Sequence, residues 1–214
     1  MATEMQPLYD PSGVETRWQE TWEAEGLYAA GAGRRHDETY VIALPPPNVT
    51  GELHMGHALN GSIQDALIRW HRMRGFDTLW QPGYDHAGIA TQNVVEKQLA
   101  AEGLSRHDIG REAFVERTWE WLEKTGSTIM GQLRRLGCSV AYDRERFTMD
   151  DDYVRAVLTF FVRLWDRGWI YRDNRIVNWC PFHQTAISDL EVAHEDMDDT
   201  LTYVSYPFAD GDGS

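Results

Sequence analysis

The chain has 214 residues, of which 42% are hydrophobic, so it can bury the core of one large domain or of two small ones. No apolar run approaches the roughly 20 residues of a membrane span, and residues 1–5 lack the pattern of a signal peptide, so we expect a cytoplasmic protein. Two cysteines do not make a disulfide framework, which agrees with a reducing compartment. The formal net charge of −14 argues against broad electrostatic capture of nucleic acid, although a local pocket could still hold a nucleotide.

The first predicted elements are a helix and then a strand–helix–strand unit. After a turn signal, apolar residues recur at helical spacing, so we expect a helix whose aromatic stripe faces the core. Residues 40–44 predict a strand, a long helix begins at Gly56 and ends at Gly75, and residues 76–80 predict a second, parallel strand. This unit predicts an α/β fold that opens as the first half of a Rossmann-like, doubly wound parallel sheet with added helices. The apolar positions are Val14, Trp18, Trp22 and Leu27 in the first helix, and Leu59, Ile63, Ala66, Leu67, Trp70 and Met73 in the second.

The segment PPPNVTGELHMGH (residues 45–57) joins this first strand to the long helix. Nucleotide phosphates bind at such turns, because the free backbone N–H groups and the dipole of a helix N-terminus favour anions. Gly51 and Gly56 would let a nucleotide approach the backbone, and His54 and His57 could donate hydrogen bonds to phosphate oxygens. Helix capping or a metal pair is the alternative interpretation of the two histidines.

The second strand runs into the segment QPGYDHAGIATQ (residues 81–92). Ligands of open α/β sheets bind beyond the carboxyl ends of adjacent strands, so we expect this loop and residues 45–57 to face each other across one crevice. Asp85 would place a carboxylate in a cleft suited to phosphate, which makes sense if the partner substrate carries an ammonium group. Alternatively, Asp85 could N-cap the helix that begins near Ala87.

Two further helices follow. Ser105 and Asp108 stand at capping-box spacing before a long helical segment that Gly137 closes. The next helix starts near Thr148 and ends at Gly168. Its first turn contains acidic residues, which a helix dipole favours, so a helix start explains them better than a metal site does.

From Gly168 onward the pattern predicts β-structure. Residues 169–172 and 175–178 predict a hairpin, and residues 201–206 predict a later strand. Cys180 and His183 stand at C-x-x-H spacing, which is half of a structural zinc site, because such a site needs four ligands. By residue type, the spare candidates are His194 and Cys138, and neither has persuasive spacing.

Two of these segments resemble signatures of the class I aminoacyl-tRNA synthetases. PPPNVTG together with LHMGHAL (residues 45–59) resembles the HIGH signature in the form found in the valyl-tRNA synthetase family. GYDHAGIATQ (residues 83–92) resembles the second signature of that family, whereas isoleucyl and leucyl relatives usually carry a different wording there. The resemblance continues through residues 106–110, 148–150 and 178–181 and so covers nearly the whole chain. Tyr84 departs from the family, which often has threonine at this position.

The resemblance implies ATP-dependent activation of L-valine to valyl-adenylate and transfer of valine to tRNA(Val), with Mg²⁺ accompanying ATP, in a monomeric full-length enzyme. It implies that His54 and His57 are catalytic and stabilise charge on the phosphates. In some family members the region of Cys180 and His183 binds zinc with a second pair of ligands further along the chain. The implied ATP-binding residues are Asn48, His54, Gly56 and His57, and the implied valine-binding residues are Pro46, Asn48 and Asp85.

The resemblance also implies a domain organisation. Residues 1–38 would be an N-terminal helical extension, residues 39–168 the N-terminal half of the catalytic Rossmann domain with a helical segment, and residues 169–214 the start of an inserted connective and editing domain. The family's later Lys-Met-Ser-Lys-Ser loop has no counterpart, since Lys97 and Lys124 are the only lysines. We therefore expect an N-terminal fragment that is not fully active alone. Two alternatives stay open: a noncatalytic adenylate-binding or interaction module, and another nucleotidylyl transferase with the same His-x-Gly-His turn.

Overall fold

The computed structural model describes residues 8–31 and 35–209, and its contacts divide the chain into residues 1–164 and residues 165–214. Residues 1–5, on which the signal-peptide prediction rests, lie outside the described ranges. Over those ranges, no helix is both long enough and apolar enough to cross a membrane. The first unit runs in the order α1 (Pro11–Ala24), β1 (Arg35–Ala43), α2 (Met55–Met73), β2 (Phe76–Gln81), β3 (Gly83–Tyr84), α3 (Ile89–Ala101), α4 (Arg106–Arg135), β4 (Arg146–Phe147) and α5 (Asp151–Asp166), the last of which continues into the second unit.

The predicted strand–helix–strand unit is confirmed. β1 and β2 pair in parallel, with Tyr40 opposite Thr78 and Ile42 opposite Trp80, and α2 connects them. Helix α2 ends as predicted, because Gly75 follows the C-cap with φ 90°, a conformation that glycine adopts without strain. The mixed α/β class is therefore confirmed, although each sheet in the described part of the chain contains two strands.

The side of α2 that is buried is not the apolar stripe seen in the sequence. Gly61 and Ile68 are buried, and Ile68 joins a core that α4 and the strands complete. The same side carries Asp65, whose Oδ1 accepts a hydrogen bond from the backbone N–H of Ser139 at 3.1 Å, and Arg72, which donates to the Ser139 hydroxyl at 3.0 Å. The stripe itself is largely exposed, namely Leu59, Ile63, Leu67, Trp70 and Met73. The core cluster comprises Leu44, Ile68, Trp80, Met130, Leu133, Cys138 and Val140.

Helix α1 forms where predicted, but its aromatic stripe faces the core only in part. Trp18 is 46% exposed, and no residue of α1 is buried. The contact with α2 is made by cations over aromatic rings: the Arg69 guanidinium lies 5.3 Å from the Trp22 ring centroid, and that of Arg72 lies 5.6 Å from the Tyr28 centroid. Tyr28, which lies after the helix, is the buried aromatic residue of this segment.

Helix α4 begins at the predicted capping box. The Ser105 side chain accepts from the backbone N–H of Asp108, and the Asp108 carboxylate accepts from the backbone N–H of Ser105 at 2.8 Å. Gly110, with φ 77°, kinks the helix, and Gly137, with φ 81°, closes it. Ile129, on the buried face of α4, is fully buried.

The second unit corrects three strand predictions. Residues 169–177 contain no strand, and neither do residues 201–206. The strands that form are β5 (Asn178–Cys180) and β6 (Thr185–Ile187), which pair antiparallel in a short hairpin. A strand is stable only as part of a ladder, and over the described residues no segment pairs with these apolar stretches, whose side chains are exposed, for example Ile176 at 98%.

Candidate functional site

The two histidines of the first signature form the N-terminal cap of α2. His54 is the N-cap residue, and its Nδ1 accepts a hydrogen bond from the backbone N–H of Gly56 at 3.1 Å. His57 reciprocates, because its Nδ1 accepts from the backbone N–H of His54 at 3.2 Å, and the ring centroids are 4.0 Å apart. The capping interpretation of these histidines is therefore correct for the chain by itself.

The cap determines which ring nitrogens remain for a ligand. A backbone N–H can only donate, so both Nδ1 atoms act as acceptors and the neutral rings carry their proton on Nε2. The N–H of Gly56 is bonded to His54, so it is not one of the free N–H groups that were expected at this helix start. A Cβ at residue 56 would lie 2.9 Å from Cε1 of His54, so glycine is needed here for the ring to lie against the helix start.

The pKa of His57 is lowered from its ordinary value of 6.5. Burial is the larger cause because it disfavours the imidazolium form, and repulsion from His54 adds to it. His54 itself is exposed. In this pair, the neutral form of the His57 ring is favoured, and the His54 ring beside it is open to solvent.

Helix α4 holds the loop that carries these histidines. The indole N–H of Trp121 donates to the Val49 carbonyl at 2.6 Å, and the side-chain oxygen of Gln132 accepts from the backbone N–H of Leu53 at 2.8 Å. Trp121 and Gln132 are 11 residues apart, which is close to three helical turns, so they lie on one face of α4. The apolar spacing predicts this helix, but no sequence motif marks the two side chains that hold the loop.

The loop with Asp85 is joined directly to the first signature. The backbone N–H of Asp85 donates to the Pro47 carbonyl at 2.7 Å, and that of Val49 donates to the Asp85 carbonyl at 3.0 Å. These bonds make a parallel bridge between Asn48 and Asp85. The two loops predicted to face each other therefore meet along their backbones.

Asp85 does not cap the following helix. The N-cap of α3 is Gly88, which makes no side-chain capping bond. The Asp85 carboxylate instead accepts a hydrogen bond from the Thr148 hydroxyl at 2.9 Å, and Nδ1 of His86 lies 3.3 Å from the same oxygen. The N-cap alternative is thus wrong, and Thr148 is a neighbour that the sequence signature 148–150 did not single out.

Pro46, Asn48 and Tyr84 are the other residues of the two loops that the sequence singled out. Pro46 and Asn48 are exposed on the signature loop. The ring of Tyr84 turns toward α4, where a Cβ on Gly126 would meet its Cζ at 3.1 Å, and it lies 5.3 Å from the Phe147 ring. Burial raises the pKa of Tyr84 to about 12, and Glu145 adds to the effect. Tyr84 is therefore a packing residue beside Asp85.

Cys180 and His183 lie close together in the β5–β6 hairpin. The Sγ atom of Cys180 is 3.4 Å from Nδ1 of His183, and Nε2 of His183 is buried with no hydrogen-bond partner. The described residues contain no group of three or more histidine, cysteine and acidic side chains that could hold a metal ion. Cys138 is a core residue of the first unit, where burial raises the pKa of its thiol to about 12. These two side chains alone do not fit a structural zinc ion, which takes four ligands.

The chain is similar to proteins of known function. The model of the family described as tRNA synthetases class I (I, L, M and V) matches residues 17–206. The valine–tRNA ligase of Geobacter sulfurreducens is 57% identical over 95% of this chain and 23% of its own length, and that of Synechocystis sp. is 53% identical over 100% and 23%. The chain thus spans less than a quarter of these curated relatives. LeuRS of Agrobacterium radiobacter K84, solved in a ternary complex with tRNA and LeuAMS, is 24% identical with a TM-score of 0.70, over 87% of this chain and 22% of that chain, and so shares the fold.

Proposed function

The chain belongs to the class I tRNA synthetases, and on this premise we propose that it supplies the half-site in which ATP and L-valine meet in a valine–tRNA ligase. In that reaction a carboxylate oxygen of valine attacks the α-phosphorus of ATP, the bond to pyrophosphate breaks, and valyl-adenylate forms. The adenylate then passes valine to the terminal ribose of tRNA(Val). Such a transfer depends mainly on positioning and on charge stabilisation.

The observation that carries this proposal is the backbone bridge between Asn48 and Asp85. It joins a histidine-capped helix start, which suits phosphate, to a loop with a half-exposed carboxylate, which suits an ammonium group. A nucleotide and an amino acid are two substrates with those complementary charges. Neither loop alone would favour both.

Each of the predicted site residues then has a defined task in the proposed half-site. His54 and His57 donate from Nε2–H to phosphate oxygens as negative charge develops. Asn48 contacts the nucleotide or the amino acid, Pro46 contributes apolar surface to the valine side chain, and the Asp85 carboxylate binds the ammonium group. Mg²⁺ would accompany ATP, bound by its phosphates and by water.

The lysines favour a second candidate function. Lys97 lies in α3 and Lys124 in α4, and both are exposed; among the described residues no hydrogen bond links either side chain to the histidine cap. Without a lysine beside the phosphates, the imidazoles would be the side chains left to stabilise negative charge there. A noncatalytic module that binds an adenylate is therefore the alternative.

Binding and turnover separate the two candidates. We expect this chain to bind the valyl sulfamoyl analogue of the adenylate, measured by isothermal titration calorimetry, and His57→Ala to weaken binding by about tenfold, as expected for one lost hydrogen bond to a charged group. His107→Ala, which changes an exposed histidine of α4, is the matched control and should bind as the parent chain does.

Valine-dependent exchange of pyrophosphate into ATP is the second measurement. Exchange that falls in His57→Ala would support the catalytic assignment, whereas binding without exchange would support the noncatalytic module. Robust exchange that is indifferent to His57 would sink the role given to that residue. Exchange without dependence on valine would indicate a different nucleotidylyl transferase.

A further inference from the structure

Strand pairing brings Thr148 beside Asp85 from 63 residues away. β3 and β4 pair in parallel, with Gly83 opposite Arg146 and Tyr84 opposite Phe147. Asp85 follows β3 and Thr148 follows β4, and the backbone N–H of Thr148 donates to the Tyr84 carbonyl at 3.2 Å. The strands can come this close because residue 83 is glycine.

The close approach at Gly83 is sterically strict. A Cβ at this position would lie 2.6 Å from the carbonyl oxygen of Arg146, a backbone atom that cannot swing aside. The turn after β4 is fixed as well, since the backbone N–H of Phe147 donates to the Asp150 carboxylate at 2.9 Å. The backbone of Thr148 is therefore positioned by the bond of its own N–H to Tyr84 and by that of the preceding residue, Phe147, to Asp150.

Counting protons around the Thr148 hydroxyl assigns the direction of each bond. Its one proton goes to Oδ1 of Asp85 at 2.9 Å, and its oxygen accepts from the backbone N–H of His86 at 2.9 Å. Nδ1 of His86 lies 2.7 Å from the same hydroxyl oxygen and 3.3 Å from Oδ1 of Asp85. With its one proton on the Asp85 bond, the hydroxyl can only accept from Nδ1 of His86, and this arrangement therefore requires the His86 tautomer that is protonated at Nδ1.

Both of these neighbours contact the same carboxylate oxygen. Thr148 and His86 reach Oδ1, and over the described residues no bond to Oδ2 of Asp85 is present. The carboxylate is thus held at one oxygen, and the other remains for a ligand. A group fixed in this way loses little conformational entropy when it binds a cation.

From this geometry we infer that Thr148 is a positioning residue for substrate binding: its hydroxyl, held by His86, fixes the Asp85 carboxylate so that Oδ2 receives the ammonium group of the amino acid. The inference rests on the proposed role of Asp85. Thr148 itself does not touch the substrate. It acts on affinity for the amino group and leaves the contacts of the nucleotide unchanged.

A pair of ligands isolates the ammonium contribution. The valyl sulfamoyl adenylate analogue carries the ammonium group, and its 3-methylbutanoyl counterpart lacks only that group. We expect the parent chain to prefer the valyl compound and Asp85→Asn to lose the preference. Thr148→Val, which removes the hydroxyl at nearly constant shape, should reduce the preference by about tenfold, as for a lost hydrogen bond to a charged group.

Two further variants make the result specific. Thr148→Ser keeps a hydroxyl and should restore the preference, which a purely steric role for Thr148 would not predict. Thr159→Val removes an exposed hydroxyl that bonds within α5 and should change nothing. A preference that is lost in Asp85→Asn but intact in Thr148→Val overturns the positioning role alone. A parent chain with no preference overturns both that role and the proposed role of Asp85.

The tautomer of His86 gives a test that needs no ligand. Long-range ¹H–¹⁵N spectra of the parent chain, with ¹⁵N-labelled histidine, should place the proton of neutral His86 on Nδ1. A neutral ring with its proton on Nε2 would overturn the inference, because Nδ1 would then take the Thr148 proton and leave Asp85 without it.

Discussion

At the scale of single residues, His54 and His57 have a structural task and, in the proposed half-site, a chemical one. Their Nδ1 atoms cap α2, so the orientation of both rings is fixed by backbone bonds rather than by a ligand. The same bonds leave Nε2–H as the donor of each neutral ring. In the proposed half-site, these two donors face the phosphates.

The pKa of His57 gives a prediction at this scale. Replacing His54 with glutamine removes its repulsion of the His57 imidazolium but keeps an acceptor for the Gly56 N–H, so the pKa of His57 should rise. It should stay below 6.5, because burial, the larger cause of the shift, remains. Titration of the ring signals by NMR measures both values, and an unchanged or lower pKa in His54→Gln would contradict the assigned repulsion.

The same shift makes His57 a source of pH-dependent stability. Its pKa is lower in the folded chain than the ordinary 6.5 of the unfolded chain. Between those two values the unfolded state binds more protons, so this residue makes the free energy of unfolding increase as pH rises through the interval. Above 6.5 the residue is neutral in both states and its contribution is constant.

At the scale of elements, α4 is the support of the first signature. Its side chains reach Val49 and Leu53 on either side of the glycine that follows the proline run. The buried face of the same helix packs in the core through Met130 and Leu133. The loop is therefore tied to a rigid element whose position is set by core packing.

Gln132→Met tests this support. The variant leaves the half-buried N–H of Leu53 without its acceptor, which costs about 1–3 kcal/mol and should speed hydrogen exchange at that amide by at least about tenfold. Native-state exchange measured by NMR reports it residue by residue. Gln132→Glu keeps an acceptor and should retain protection, and Gln98→Met, at an exposed position of α3, is the matched control. Equal protection of Leu53 in Gln132→Met would contradict the role given to α4.

At the scale of the whole molecule, negative charge dominates. The formal net charge is −14, and arginine rather than lysine supplies 18 of the 20 basic residues. Several arginines are already occupied: Arg134 pairs with Glu23 at 3.1 Å and lies over the Tyr142 ring at 4.1 Å. The surface of this chain is thus poorly suited to hold a polyanion.

This charge predicts the behaviour of the chain toward tRNA. We expect the dissociation constant for labelled tRNA at physiological ionic strength to exceed about 0.1 mM, the weak end of nonspecific binding. Fluorescence anisotropy measures it, and Arg135→Gln, an exposed position, should leave the result unchanged. Tight binding that weakens steeply with added salt would show a basic interface that the net charge conceals.

The sequence by itself determined the local features of this protein. The limits of α2 at Gly75 and of α4 at Ser105 and Gly137 follow from residues within a turn of each helix end. The two signatures located the candidate site, and their spacing in a strand–helix–strand unit predicted that they meet. Each of these features depends on neighbours that are close in the chain, so a linear pattern is enough to specify it.

Only the tertiary structure decided how the site is held and which surfaces are buried. Thr148 reaches Asp85 across 63 residues, and Trp121 and Gln132 reach the signature loop across 72 and 79. The apolar stripe of α2 is exposed while its buried side includes polar groups, and the apolar stretches after Gly168 form no strands where predicted. These outcomes depend on partners that are distant in sequence. The apolar pattern of a segment indicates that its side chains favour burial. Packing between elements then decides whether another part of the chain covers them.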